Sequence, residues 1–210
     1  MEITYYGANC IKVTSKEVTI LIDPITGEYG PDPKIKADVL LYSQKPSKDI
    51  NSKIDFLIDS PGEYEIRSVM IDGIAARLHT QKQEEAPKGV IYTISHKDIR
   101  ILVAGNIHPD IADDQLDRID GVDALVVPVG GKGLTMDKEA AADFIRQFDP
   151  ALVIPVHYDD AKTKYPMPQD KVDSFLQEVG ATDASREKSI KISNRDISED
   201  VKFVVLDTSG

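Results

Sequence analysis

Three histidines follow strand-like runs, and imidazole is a side chain that can hold a metal ion. His157 comes after the apolar run Leu152 to Ile154, His79 after Ile74 to Leu78, and His108 two residues beyond Asn106. Two such histidines with Asp23 or Asp49 could hold one metal. The fourth, His96, lies in Ser95-His96-Lys97-Asp98 and reads as a surface hairpin turn. Glu63 and Glu65 could act as acid and base, but they alternate with Tyr64, as on the solvated face of a strand. Asp23 precedes Pro24 and could equally cap a turn. Gly130-Gly131 could cradle an anion with backbone N–H groups or simply form a tight turn. Cys10, the single cysteine, reads as a small buried hydrophobe; as a nucleophile it would need a base that sequence cannot place.

These residues need rigid elements to position them. Val39–Tyr42 runs into Ser43-Gln44, Ile101–Ala104 into Gly105-Asn106, Leu125–Val127 into Pro128-Val129-Gly130-Gly131, and Leu152–Ile154 into Pro155-Val156-His157. If these strands are parallel, their C-terminal ends form one rim, where loops are held for binding. Ahead of them, Ile3–Tyr6, Cys10–Thr14 and Val18–Ile22 predict an antiparallel meander. Phe56–Ile58 is expected as a buried strand. Tyr64–Ile66, Val69–Ile71, Val90–Ser95, Arg100–Ala104 and a last run, Phe203–Leu206, predict further strands. Gly27–Pro33 and Gln81–Pro87 read as loops.

Helices are predicted at about 136–148 and around Val172–Val179. Each has apolar residues at i, i+3, i+4 and i+7: Ala141, Phe144, Ile145 and Phe148 in the first, Val172, Phe175, Leu176 and Val179 in the second. Thr135 is the expected N-cap of the first, and Gly180 ends the second. A shorter helix is expected over Asp113–Ile119. With no repeat or linker, residues 1–210 read as one domain of mixed β and α structure.

Five segments occur in an order that resembles the metallo-β-lactamase superfamily: Gly7-Ala8-Asn9-Cys10, Leu21-Ile22-Asp23-Pro24, Pro61-Gly62-Glu63-Tyr64-Glu65, Pro128-Val129-Gly130-Gly131 and Ile154-Pro155-Val156-His157-Tyr158. Within it, the chain is most similar to the small cytoplasmic beta-lactamase-like Zn-dependent hydrolases. The resemblance implies an α+β fold, the αββα four-layer sandwich. It also implies one or two metal ions that generate hydroxide at neutral pH. The family's HxHxDH positions, however, fall on Gln44, Pro46, Lys48 and Asp49, and its Gly-Asp on Gly105-Asn106. Proline offers no side-chain donor, lysine puts a cation in a carboxylate's place, and the bridging carboxylate becomes an amide. Lys48 could supply the positive charge a metal once supplied, pairing with Asp49 or Asp23.

The resemblance therefore implies a degenerate metal site, no cofactor, and a non-catalytic protein that binds or scaffolds. The alternative is a mononuclear zinc-dependent hydrolase using His157, His79 and an aspartate. The net charge of -11, from 36 acidic and 25 basic residues, disfavours nucleic acid as a partner. No run approaches the ~18 apolar residues that span a bilayer. The absence of a leader pattern and the lone cysteine suit the cytoplasm. Partners stay open, a homo-oligomer among them.

Overall fold

The structure, a computed structural model, describes residues 1–24, 29–30, 34–46, 54–80, 82, 85–86, 88–193 and 200–209. Lys48 and Asp49 lie outside the described residues, as does most of the loops expected at Gly27–Pro33 and Gln81–Pro87.

The chain opens as the expected meander. β1 (Glu2–Tyr5), β2 (Ile11–Thr14) and β3 (Thr19–Ile22) pair antiparallel, and β4 (Val39–Leu41) and β5 (Phe56–Ile58) extend the sheet parallel to β3. A short strand from the distant C-terminal part, β13 (Ile190–Lys191), closes the other edge, giving the order β13-β1-β2-β3-β4-β5. The second sheet holds β6 (Gly62–Ile66), β7 (Val69–Ala76), β8 (Gly89–His96), β9 (Ile99–Val103), β10 (Ala124–Pro128), β11 (Leu152–Val156), β12 (Ser185–Glu187) and β14 (Lys202–Leu206), in the order β12-β14-β11-β10-β9-β8-β7-β6. Its β6–β9 half is antiparallel and its β9-β10-β11-β14-β12 half parallel.

Alternation along the strands decides which face is which. Ile20, Ile22, Val39 and Leu41 join one large core with Ile71, Tyr92, Ile94 and Val103 of the second sheet, and the Tyr92 hydroxyl donates to Tyr42 O and Ile58 O of the first, so the sheets face one another. Leu21, Leu40 and Tyr42 point the other way, into a smaller cluster with Ala8, Cys10 and Ala37, covered by Tyr6, Tyr29, Ile35, Ile54 and Tyr165. Every residue of β10 and β11 is buried, as in strands covered on both faces.

Helices α1 (Asp113–Leu116), α2 (Lys138–Arg146) and α3 (Val172–Glu178) supply the cover. α1 packs on β7, α2 on β10, and α3 on α2. The apolar stripe of α2 buries Ala141, Phe144 and Ile145. Its N-cap is Asp137, whose carboxylate accepts the Ala140 N–H at 2.8 Å, and not Thr135. Asp is as good a cap as Thr, and Thr135 is drawn back into a bridge with Lys132. α3 ends as its Gly180 predicts. Gly180 takes φ +70°, its N–H bonds to Gln177 O, and Ala181 N–H bonds to Leu176 O, the two bonds of a Schellman motif.

One strand departs from its expected burial. Phe56 and Leu57 are 46% and 56% exposed, because β5 is an edge strand of its sheet among the described residues. No helix among the described residues is long and apolar enough to cross a membrane.

Candidate functional site

β3, β4, β9, β10 and β11 run the same way within their sheets, and their C-terminal ends meet the end of β1 at one rim. Three non-glycine residues there turn sharply with left-handed backbones: Ala8 (φ 47°), Asp23 (φ 45°) and His157 (φ 53°). Such conformations cost about 1–3 kcal/mol each and persist only where the surroundings impose them. Here the surroundings are visible. His157 N–H donates to Ala8 O at 2.9 Å and lies 3.2 Å from the Tyr5 hydroxyl oxygen. Asp23 N–H donates to Leu41 O at 3.0 Å.

Asp23 does more than cap its own turn. Its carboxylate accepts the Ser43 N–H at 2.7 Å and the Ser43 hydroxyl, so it ties the loop after β3 to the loop after β4. Burial pushes its acidity from the ordinary 3.8 up to about 6, against the opposing pull of the bonds from Ser43 and Gln44. Gly105 lies against the same serine. A Cβ there would stand 2.3 Å from Ser43 Cβ and Oγ, and the residue takes φ +62°. Only glycine lets the loop after β9 approach so closely.

Beyond this bolt sit the positions where metal ligands were sought. Asn106 Nδ2 donates to Gln44 Oε1 at 3.2 Å, so two neutral amides engage each other where the family would place a carboxylate and a histidine. Gln44 is thereby committed, and Pro46 has no side-chain donor. Among the described residues no group of three or more His, Cys, Asp and Glu could hold a metal ion. The described side chains thus do not fit a two-metal centre, which needs several anionic or imidazole donors converging on each cation.

The histidines divide. The Arg77 guanidinium lies 2.8 Å from His108 Nδ1, and Asp110 N–H donates to that nitrogen at 3.1 Å. Arginine can only donate, so Nδ1 carries the lone pair and Nε2 the proton. Ligation through Nε2 would move the proton to Nδ1, into the face of Arg77. His108 is thus engaged at Nδ1 by Arg77 and by the Asp110 N–H. It stacks on His79, ring centroids 6.1 Å apart.

His79 and His157 remain. His79 N–H donates to Asn106 O at 3.0 Å, while its Nδ1 is buried without a partner. Burial first, then His108, holds its pKa below the usual histidine value. His157 is 4% exposed, and burial pushes it down to about 4. Its ring packs against Tyr165 at 4.8 Å and Tyr29 at 6.5 Å; the adjacent Gln169 side chain pulls its pKa up against burial, though no hydrogen bond of good geometry reaches its Nδ1. Gly130 makes room for it. A Cβ there would lie 2.1 Å from His157 O and 2.6 Å from Gln169 Oε1.

The structure thus brings Asp23, Gln44, Asn106, His79, His108 and His157 to one end of the sandwich. His96 stays in the β8–β9 hairpin, and Glu63 and Glu65 are exposed on β6. Sequence reasoning missed Asn9, Thr135 and Gln169. Each holds a side-chain oxygen buried without a partner, and each sits in a rim loop or the segment beside one. The three lie far apart in sequence; Asn9 falls within the Gly7-Ala8-Asn9-Cys10 segment, but Thr135 and Gln169 match no motif. At neutral pH the site offers amide oxygens, a hydroxyl and imidazoles kept uncharged by their lowered pKa values, beside the Asp23 carboxylate, which is ionised above its pKa of about 6.

Comparison with known proteins agrees with this architecture. Residues 2–157 match the family described as the beta-lactamase superfamily domain. The chain is 24% identical over 197 residues to a UPF0173 metal-dependent hydrolase of Listeria welshimeri, covering 75% of this chain and 85% of that one. It superposes with TM-score 0.76 on a Thermotoga maritima protein assigned as a Zn-dependent hydrolase of the metallo-beta-lactamase superfamily, at 25% identity and covering 98% of both chains. It also superposes with TM-score 0.63 on Igni18, a metallo hydrolase of Ignicoccus hospitalis, at 18% identity, covering 87% of this chain and 91% of that one.

Proposed function

The chain belongs to the beta-lactamase superfamily, with the metallo-β-lactamase-fold metal-dependent hydrolases, and from that premise we propose that it works by binding and not by hydrolysis. In this reading the two-metal centre has been replaced by a polar cleft poor in metal-ligating side chains, and the protein serves as a binding or scaffold protein. The observation that carries it is the Asn106–Gln44 amide contact at the ligand positions. Asp49 cannot rescue the centre alone, since a zinc seat needs three protein ligands or more.

The partnerless buried atoms support the binding half of the reading. Asn9 Oδ1, Asn106 Oδ1, Gln169 Oε1, Thr135 Oγ1 and the Nδ1 atoms of His79 and His157 all lie at the rim. Buried polar atoms left unpaired cost roughly 1–3 kcal/mol each, so their concentration at one end marks a place kept for polar contacts. The acidic net charge of -11 argues against nucleic acid as the partner. The single buried cysteine suits a cytoplasmic setting.

Hydrolysis assays test the reading. With zinc or manganese added, the protein should leave a phosphodiester, a lactone and an amide at their protein-free rates. Turnover of any of them that a chelator abolishes would contradict it.

A second reading rests on a separate observation. His79 and His157 both keep a buried Nδ1 without a partner, and His79 lies close enough to influence the protonation of His157. With an aspartate they would make a mononuclear hydrolase. Asp23 is already engaged by Ser43, and Asp49 lies outside the described residues. An anomalous peak at a zinc edge, about 2.0–2.1 Å from a nitrogen of both histidines, would establish this reading over the first.

A further inference from the structure

A second concave site lies at the opposite end of the sandwich. β1 runs from Glu2 to Tyr5, and the Tyr5 hydroxyl meets His157 at the rim. The start of β1, the turn after β2, the β8–β9 hairpin and the end of β13 therefore gather at the far end. They enclose a groove of about 710 Å³, within the size range of small-molecule sites.

Its charge is the reverse of the protein's. The chain carries -11 overall, yet Lys16, Lys97 and Lys191 line this groove against only Glu2 and Asp98. Glu2 accepts a hydrogen bond from Ser189 Oγ at 2.7 Å, and Asp98 has an interaction of its own. Among the described residues none of the three lysines is in an ion pair. All three are exposed. A groove of this volume is on the order of 10 Å across, about one Debye length at physiological salt, so their fields overlap inside it.

Two further features fit a ligand. Beneath the lysines, Ile99 and Ile192 form part of the groove and are 5% and 3% exposed, an apolar floor. Lys97 occupies a two-residue hairpin turn with φ +57°, where Gly or Asn is the unstrained choice. The strained backbone sets its ammonium at the groove. His96 Nδ1 donates to Ser68 O at 3.2 Å, which leaves Nε2 for another contact.

We propose that this groove binds an amphiphilic organic anion, a carboxylate or phosphate ester whose head group sits among Lys16, Lys97 and Lys191 and whose apolar chain lies over Ile99 and Ile192. The site is separate from the rim cleft and holds whether or not that cleft binds metal.

Titration calorimetry with four probes tests it: octanoate, octyl phosphate, 1-octanol and inorganic phosphate. At least one octyl anion should saturate below about 1 mM, the range of a ~4 kcal/mol interaction. Octanol and inorganic phosphate should each bind at least tenfold more weakly, and added salt should weaken the anion. The preferred anion identifies carboxylate or phosphate ester as the natural head group. The Lys16→Gln, Lys97→Gln, Lys191→Gln triple variant should lose at least tenfold in affinity with its urea midpoint unchanged. Should the triple variant fail to fold, Lys97→Gln alone should show a smaller loss of the same sign. Octanol binding as tightly as the anions, inorganic phosphate doing so, no saturation by either anion, or full affinity in the lysine variants would each overturn the proposal.

Discussion

Replacing Asp23 by Asn should make the protein more stable at neutral pH and change how stability depends on pH. Burial raises the Asp23 pKa from 3.8 to about 6. Between those values the folded state holds a proton that the unfolded state has released. Stability therefore falls as pH rises through this window and levels off above it. A displacement of roughly two pH units corresponds to about 3 kcal/mol at ~1.4 kcal/mol per unit. Asn keeps an oxygen for the Ser43 N–H, and its amide N–H can donate to the Ser43 hydroxyl, so the bolt between the two loops survives without the buried charge.

His157 works in the opposite sense. Its pKa falls from 6.5 to about 4, so the unfolded state binds the extra proton, and stability is lost as pH falls from 6.5 toward 4. In the wild type the two slopes oppose each other. Urea melts of wild type and Asp23→Asn at pH 4.5, 5.5, 6.5 and 7.5 separate them. The variant should gain up to about 3 kcal/mol on the wild type toward pH 7.5, converge with it in acid, and expose the His157 loss. A difference between the proteins that stays within about 0.5 kcal/mol at every pH would refute the reasoning.

Five other substitutions follow from the same geometry. His157→Gln should remove the largest histidine share of the acid lability, with His79 and His108 keeping theirs, so that the urea midpoint falls less than in the wild type on acidification from pH 6.5 to 4.5; an unchanged fall would count against it. Gly105→Ala meets Ser43 at 2.3 Å with a left-handed backbone and should cost about 3 kcal/mol or more in a denaturant melt, whereas Gly121→Ala, with φ +63° and open space around it, should cost only about 1 kcal/mol. Asp137→Ala removes the α2 cap bond to Ala140 and should cost about 1 kcal/mol, while Thr135→Ala should leave the helix start unchanged by hydrogen exchange.

Much of this fold is legible because its strands at the rim are short apolar runs ending in Gly, Pro or Asn. The sequence of Leu152 to Ile154 states burial on both faces, and the structure bears it out. What resisted reading depended on partners distant in the chain. β12 and β13 carry Ser, Arg, Glu and Lys and have no strand pattern of their own; pairing with β14 and β1 makes them strands. Phe56 and Leu57 look like core residues, but among the described residues β5 is an edge strand, which leaves them exposed. At the site, the residue types Gln44, Pro46 and Asn106, at positions where the resemblance implies metal ligands, are plain in the sequence. The contact of Asn106 with Gln44, 62 residues away, is not. Nor is the Arg77 guanidinium against His108 Nδ1.

Metal content tests the central claim most directly. Protein purified without chelator, incubated with zinc, iron and manganese and then desalted, should contain far less than one equivalent of metal per chain by plasma mass spectrometry. Two equivalents would restore the hydrolase centre that Gln44, Pro46 and Asn106 are argued to have lost. A single equivalent lost on replacing His157 or His79 would hand the site to the mononuclear reading.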